Sequence, residues 1–218
     1  MSPNRILQFI THNYCLRAIS ALAIVISFAV GIFCYREIFN IILLVVGILM
    51  FIEWKEMTKS NPFFIFIGIP IIIIPITSLL FISYIDQEGW FLFGYFCVIW
   101  SVDTIAMITG KIFKGPKLAP YISPNKTISG LIGGCLGAVI CTYIIIGLKS
   151  DMNFVSVVIY AIVFAILSQM SDLFISIFKR KFKIKDTGKL IPGHGGFLDR
   201  FDSIILTAPI LALVIINF

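Results

Sequence analysis

The sequence predicts an all-α fold, a polytopic transmembrane helical bundle of about seven spans. Of its 218 residues, 59% are hydrophobic and 13% are charged, and the mean hydropathy is +1.04. This balance excludes a water-soluble domain. Several apolar runs reach the roughly 20 residues that a helix needs to cross a hydrocarbon core. Most of the Lys and Arg residues also fall in alternate loops between these runs, so they lie on one side of the predicted bundle.

The predicted spans follow the apolar runs in chain order. They cover residues 17–35, 38–52, 63–85, 90–109, 128–148, 153–177 and 203–218. Residues 1–9 lack a cleavable signal pattern, so we expect the first span to be retained. In the third span, Pro70 and Pro75 interrupt the backbone hydrogen bonds. This leaves two alternatives open, one kinked helix or two half-helices.

The basic residues orient the bundle, since loops that carry Lys and Arg are retained in the cytoplasm. A cytoplasmic N-terminus places 15 of the 17 basic residues inside and leaves only Arg36 and Lys149 outside. The two long polar loops, residues 110–127 and 178–202, then share the cytoplasmic face. Attraction to anionic lipid headgroups would also explain Lys-rich loops. It does not explain carboxylates at membrane depth.

The fourth span carries one such carboxylate, Asp103. At helical spacing Asp103, Gly110 and Lys111 share a face that leads into the first polar loop. Ser123 and Lys126 in that loop are candidates to hold phosphate, with ordinary loop polarity as the alternative. The five cysteines show no metal-ligand spacing, and two histidines exclude a histidine-rich metal site.

The sixth span carries a second carboxylate, Asp172, which is costly in a membrane unless a cation, a polar partner or water accompanies it. Asp172, Ser176, Lys179 and Arg180 stand at i, i+4, i+7 and i+8 and therefore share one helical face. This stripe suits a metal ion and phosphates. A structural ion pair between Asp172 and a neighbouring helix is the alternative.

The second polar loop ends in a glycine-rich turn before the seventh span. Gly195 and Gly196 let the backbone approach a ligand, and the free N–H groups of the next helix form an anion site. Asp199 and Asp202 are three residues apart and lie on one helical face, where they suit a hard cation. Helix capping is the plain alternative for either residue alone.

Two blocks of residues carry a resemblance to a known family. The first block comprises Ser176-Ile177-Phe178-Lys179-Arg180, Lys185-Asp186, Gly188, Pro192 and His194-Gly195-Gly196-Phe197-Leu198-Asp199-Arg200-Phe201-Asp202. The second comprises Asp103-Thr104-Ile105-Ala106, Gly110-Lys111, Lys117-Leu118-Ala119-Pro120 and Ile122-Ser123-Pro124-Asn125-Lys126-Thr127 with Gly130. Together they resemble the phosphatidate cytidylyltransferase, or CDP-diacylglycerol synthase, family.

The resemblance implies an enzyme that transfers the cytidylyl group of CTP to phosphatidate and releases pyrophosphate. It implies that Asp172 and Asp199 bind Mg²⁺ with support from Asp202, and that a second cation such as K⁺ can lie nearby. Lys179 and Arg180 would hold phosphates. The implied location is a bacterial inner membrane, with the active site facing the cytoplasm.

The remaining predicted site residues are assigned to substrate binding. They are Ser176, Asp103, Lys111, Ser123, Lys126, His194, Gly195, Gly196 and Arg200. The expected partners are CTP, phosphatidate and membrane lipid, without nucleic acid, and a homodimer stays open. Residues 1–90 show no motif and are interpreted as the wall of a lipid cavity, whereas residues 91–218 form the catalytic region.

Four positions depart from the family pattern. Met107 and Ile128 replace aromatic residues, Ser129 replaces Glu, and Ser171 replaces Gly. They leave open the activation of another membrane lipid phosphate or alcohol with CTP. A transporter of an anionic solute is the alternative from another class. Against it, the halves show no inverted repeat and the charges collect on one face.

Overall fold

The structure is a computed structural model that describes residues 25–147, 153–188 and 195–216. Its architecture is a bundle of helices with one small hairpin. The elements are α1 (Val25–Cys34), α2 (Arg36–Met57), α3 (Pro62–Ile85), α4 (Trp90–Phe113), β1 (Lys117–Ala119), β2 (Ser123–Thr127), α5 (Ile128–Thr142), a π-helical turn (Tyr143–Gly147), α6 (Phe154–Lys181), α7 (Leu198–Phe201) and α8 (Ile204–Ile216).

Polar side chains fix where several helices begin. The Asn61 side chain accepts a hydrogen bond from the Phe63 N–H at 3.1 Å, and Pro62 opens α3. Asn153 caps α6 in the same way through the Val155 N–H, at 2.8 Å. These caps satisfy N–H groups that the first helical turn leaves free.

In the part of the chain that the structure describes, five helices are long and apolar enough to cross a membrane. They are α2, α3, α4, α6 and the segment Ile128–Ile145, which joins α5 to the π-helical turn. The apolar helices α1 and α8 are shorter within the described residues. The all-α membrane bundle is thus confirmed, whereas the count of seven crossings and the cytoplasmic N-terminus stay predictions.

The third span is one continuous helix rather than two half-helices. Helix α3 runs through Pro70 and Pro75, and its hydrophobic core residues pack on α2 and α8. Neighbouring helices therefore hold α3 together where proline removes a backbone hydrogen bond.

A β-hairpin occupies part of the first polar loop, where the sequence analysis predicted no strand. Lys117 pairs with Thr127 and Ala119 with Ser123 in an antiparallel register. The Ile128 N–H donates to the Pro116 carbonyl at 3.0 Å and closes the hairpin onto α5. The prolines at 116, 120 and 124 exclude a helix here, so the backbone pairs across the loop instead.

Helices α4 and α5 pack closely through glycines. A Cβ on Gly133 would lie 2.1 Å from Thr109 Oγ1, and one on Gly137 would lie 2.5 Å from Ile105 Cδ1. Small residues let two helix backbones approach in this way inside a membrane. The contact fixes α4, which carries Asp103, against the helix that follows the hairpin.

The two ends of the bundle differ in chemistry. At one end, Arg36 donates to the carbonyl of Gln87 at 2.6 Å and to that of Asp86, which ties α2 to the turn before α4. At the other end lie the hairpin, the C-terminal turns of α2 and α6, and α7. The predicted site residues collect at this second end.

Candidate active site

The predicted stripe on α6 is formed, and the hairpin reaches it. Lys126 Nζ lies 2.6 Å from Asp172 Oδ2, and the Ser176 hydroxyl donates to Asp172 Oδ1 at 3.3 Å. Lys126 also donates to the Gln169 carbonyl at 3.4 Å. The first polar loop therefore supplies the cation that the intramembrane carboxylate needs.

Lys179 links α6 to the glycine-rich segment. Its Nζ lies 3.0 Å from Asp199 Oδ1 and 3.8 Å from Asp202 Oδ2, and its side chain is buried. A buried lysine between two carboxylates satisfies charges that would be costly alone. The helical spacing correctly placed Ser176 and Lys179 on the face of Asp172.

The other oxygen of Asp199 organises the backbone around it. Asp199 Oδ2 accepts from the Thr187 N–H at 2.8 Å and from the Gly196 N–H at 3.1 Å. Gly195 has φ +90°, a conformation that side chains disfavour, and its Cβ position would face Asp199 Oδ2 at 3.3 Å. Gly195 and Gly196, the two predicted glycines, thus form a turn whose backbone surrounds the Asp199 carboxylate.

Asp103 joins the same region from α4. Its Oδ1 accepts from Gln169 Nε2 at 3.5 Å, and its Oδ2 accepts from the Ser203 hydroxyl at 3.4 Å. The positive charge of Arg200 acts on it electrostatically. Asp103 therefore lies beside the α6 stripe.

Asp202 lies in the turn between α7 and α8, and its carboxyl group is close enough to that of Asp172 for the two to interact electrostatically. Burial raises the pKa of Asp202 well above its ordinary value, and the negative charge of Asp172 raises the pKa further. The Ser171 hydroxyl donates to the Asp202 carbonyl and accepts from the Leu206 N–H at 3.1 Å. Ser171, one of the four residues that differ from the family pattern, therefore holds this turn in place.

The carboxyl groups of this cluster are possible ligands for a metal ion. Within residues 25–147, 153–188 and 195–216, no three His, Cys, Asp or Glu side chains are grouped to hold an ion. Mg²⁺ binds through one or two carboxylates and completes its shell with water and substrate phosphates. The interacting carboxyls of Asp172 and Asp202, with Asp199 beyond Lys179, fit that kind of site.

Other predicted residues lie at the edge of this cluster. Arg180 donates to the carbonyls of Ile122 at 2.8 Å and Ile184 at 3.0 Å, so it binds the hairpin rather than the carboxylates. Ser123 begins β2, while Lys111 and Arg200 are exposed. The His194 prediction falls outside the described residues.

Glu53 is not among the site residues predicted from the sequence. This residue of α2 is buried and accepts hydrogen bonds from the segments on both sides of the glycine-rich turn. The only signal in the sequence was a carboxylate directly after the apolar run 38–52. A carboxylate there is equally typical of a helix end at the membrane surface.

The comparisons with known proteins show which family the chain belongs to. Residues 61–218 match the model of the cytidylyltransferase family, which covers both polar loops and every predicted site residue. The chain belongs to the cytidylyltransferase family. The match begins just before α3, so the described part of the family region runs from α3 to α8.

Two of the relatives are similar over nearly the whole chain, and a third is similar over somewhat more than half of it. The phosphatidate cytidylyltransferase of Rickettsia felis is 46% identical over 209 residues, which cover 93% of this chain and 92% of that protein. The one of Rickettsia bellii is 47% identical over 209 residues, with 93% and 90% covered. That of Staphylococcus haemolyticus is 42% identical over 123 residues, covering 56% of this chain and 47% of that protein.

Proposed function

We propose that the chain transfers the cytidylyl group of CTP to phosphatidate and forms CDP-diacylglycerol and pyrophosphate. The observation that carries this proposal is the near full-length similarity to phosphatidate cytidylyltransferases, at 46% identity over 93% of the chain. The resemblance in both polar blocks indicates the same activity, and the residues of those blocks meet at one end of the bundle.

The reaction is an in-line displacement at phosphorus. A phosphate oxygen of phosphatidate attacks the α-phosphorus of CTP, one P–O bond forms, and the bond to the β,γ-pyrophosphate breaks. The nucleophile is already an anion, so the protein needs no strong general base. Catalysis then depends on positioning two anions and on offsetting their charge.

Lys126 and Lys179 are suited to this task. Both ammonium groups lie among carboxylates at the polar end of the bundle, Lys126 on Asp172 and Lys179 between Asp199 and Asp202. Each has N–H donors for phosphate oxygens as well as for the carboxylate that holds it. Ser176, which donates to Asp172, would orient a phosphate oxygen.

The carboxylates would bind the cofactor that the family resemblance implies. Asp172, Asp199 and Asp202 would hold Mg²⁺, which supplies positive charge beside the phosphates of both substrates. Asp103 and its partner Ser203 would keep the turn before α8 in register with this group. A second cation, such as K⁺, belongs to the same proposal.

The site would lie at the cytoplasmic face of an inner membrane. The loops that carry the cluster hold most of the basic residues, which favours a cytoplasmic location. The headgroup of phosphatidate would meet the site at the interface while its acyl chains stay in the bilayer. CTP would enter from the cytosol, and pyrophosphate would return there.

Release of pyrophosphate by the purified protein in detergent tests the proposal. We expect turnover that requires CTP, phosphatidate and Mg²⁺ together. Asp199→Asn should lower it by at least about 100-fold, because Asp199 would lose charge toward Mg²⁺ and Lys179. Glu88→Gln, the same kind of change on an exposed residue of the opposite end, should leave the rate unchanged.

A folded, lipid-supplied preparation that leaves CTP intact would contradict the proposed reaction. Turnover with another lipid phosphate, but not with phosphatidate, would reassign the substrate within the same chemistry. Equal loss in Asp199→Asn and Glu88→Gln would remove the specific role given to Asp199.

A further inference from the structure

Glu53 is a carboxylate in the part of the chain without a recognisable motif. It lies near the C-terminal end of α2, is 1% exposed, and has Trp54 and Met50 of the hydrophobic core on its own helix. A carboxylate in such a position is costly unless hydrogen bonds satisfy it. Its partners therefore indicate why it is there.

Among the described residues, three donors satisfy Glu53, and they come from two separate segments. Its Oε2 accepts from the Thr187 hydroxyl at 3.0 Å and from the Leu198 N–H at 2.9 Å, while its Oε1 accepts from the Phe197 N–H at 3.0 Å. The side chain thus joins the segment after α6 to the first turn of α7. These contacts span more than 130 positions of sequence.

The glycines of these segments leave room for the same carboxylate because they have no side chain. A Cβ on Gly188 would lie 2.5 Å from Glu53 Oε1, and a Cβ on Gly196 would lie 2.4 Å from Glu53 Oε2. Side chains at either position would displace Glu53. Both glycines belong to the sequence block on which the family resemblance depends, and their contact with α2 supplies a physical reason for them.

Asp199 holds the same two segments from the other side. Its Oδ2 binds the N–H groups of Thr187 and Gly196, and its Oδ1 binds Lys179. Thr187 is therefore fixed twice, by its N–H to Asp199 and by its hydroxyl to Glu53. Any movement of Thr187 or Phe197 away from Glu53 would carry the Asp199 carboxylate and its lysine with it.

We propose that Glu53 is a positioning residue, which holds Asp199 and Lys179 in the geometry that the reaction requires by clamping Thr187 to the start of α7. This inference rests on the proposed function for its effect on catalysis. It adds a residue from outside the matched family region, since the family model begins at residue 61. Glu53 itself contacts neither Lys179 nor Asp199 among its hydrogen bonds in the described residues.

Glu53→Gln tests the clamp, because the amide keeps the shape of the side chain but replaces one acceptor oxygen with a donor. We expect kcat per folded molecule to fall about 10-fold or more and the Mg²⁺ concentration for half-activation to rise, as for other residues that orient a metal ligand. Glu56→Gln is the matched control, since Glu56 lies one turn away on α2 and is exposed. It should behave as the wild type.

A second pair of variants covers the case in which Glu53→Gln does not fold. Thr187→Val removes one donor to Glu53 but keeps the N–H that binds Asp199, and Thr187→Ser keeps the hydroxyl. We expect Thr187→Val to lower kcat and Thr187→Ser to retain it. Amide hydrogen exchange at Phe197 and Leu198 should be faster in Glu53→Gln than in Glu56→Gln.

The outcomes separate a positioning role from a structural one. A lower Tm and a smaller folded fraction, with unchanged kcat per folded molecule and unchanged Mg²⁺ dependence, would overturn the proposal, as would unchanged exchange at Phe197 and Leu198. A wild type that does not convert CTP and phosphatidate would overturn the proposed function instead. Faster exchange in Glu53→Gln would then still support the clamp on α7.

Discussion

At the scale of single residues, one lysine neutralises two carboxyl groups. Lys179 is buried and lies 3.0 Å from Asp199 and 3.8 Å from Asp202, measured from Nζ to the nearer carboxyl oxygens. The carboxyl groups of Asp202 and Asp172 also interact electrostatically. Negative charge is thus concentrated among these carboxyl groups, and Lys179 offsets it together with Lys126, which pairs with Asp172.

Lys179→Met should therefore affect both stability and activity. Loss of the ammonium group leaves Asp199 without its cation, which should cost on the order of 3 kcal/mol of unfolding free energy, as for a broken buried ion pair. Activity should fall at least about 100-fold, because a fixed positive charge is lost beside the phosphates. Thermal unfolding and pyrophosphate release measure the two effects.

Lys183→Met is the control for that prediction, since Lys183 follows α6 and is exposed. Surface lysines contribute little to stability. If Lys183→Met lowered the Tm as much as Lys179→Met, the effect would come from general loss of positive charge. The burial of Lys179 would then not explain the lower Tm of Lys179→Met.

At the scale of elements, the contact between α4 and α5 sets the spacing of the site. Helix α4 carries Asp103, and α5 follows directly on the hairpin that carries Lys126. Glycines at 130, 133, 134 and 137 bring the helices together, while Ile132 and Leu136 on α5 are exposed. One face of α5 is thus specialised for close packing, and the other is suited to lipid.

Gly133→Ala should force the two helices apart. The new Cβ would lie 2.1 Å from Oγ1 and 2.6 Å from Cβ of Thr109, so rotation of that side chain cannot relieve the clash. Overpacking of this kind costs about 1–3 kcal/mol. We expect a lower Tm and reduced turnover, because Asp103 and Lys126 lie on opposite sides of this contact.

Leu136→Ala, on the exposed face of α5, is the comparison for Gly133→Ala. Its side chain is 60% exposed, so its truncation leaves no internal cavity. Equal destabilisation by both variants would show that α5 tolerates neither change for a reason unrelated to the α4 contact.

At the scale of the whole molecule, the polar residues divide between two ends. The site end carries the hairpin with Tyr121, which is 94% exposed, and the opposite end carries the turn at residues 86–89. The distribution of Lys and Arg predicts that the site end faces the cytoplasm. Cysteine labelling from the two sides of the membrane tests this orientation.

Single cysteines in a variant without the five native cysteines test this orientation. Glu88→Cys should react with a membrane-impermeant maleimide in intact cells whose outer membrane is permeable to the reagent. Tyr121→Cys should react only after the inner membrane is opened. The reverse pattern would place the site outside and would contradict the cytoplasmic entry of CTP.

The sequence by itself determined the class of the protein, the long apolar helices and the face of α6 that Asp172, Ser176 and Lys179 share. Hydropathy depends on composition within about 20 residues, and helical spacing places Asp172, Ser176 and Lys179 on one face, so both are readable locally. The residues of the two polar blocks were identified by their resemblance to a known family. The similarity to curated relatives confirmed that reading.

Only the tertiary structure decided which charges meet. Lys126 pairs with Asp172, Arg180 turns to the hairpin, and Glu53 binds the start of α7. The hairpin also appeared where only a loop was expected, because its strands are stabilised by pairing and not by an apolar pattern. Such contacts join residues that are far apart in sequence, and their partners are set by how the helices pack rather than by any local pattern.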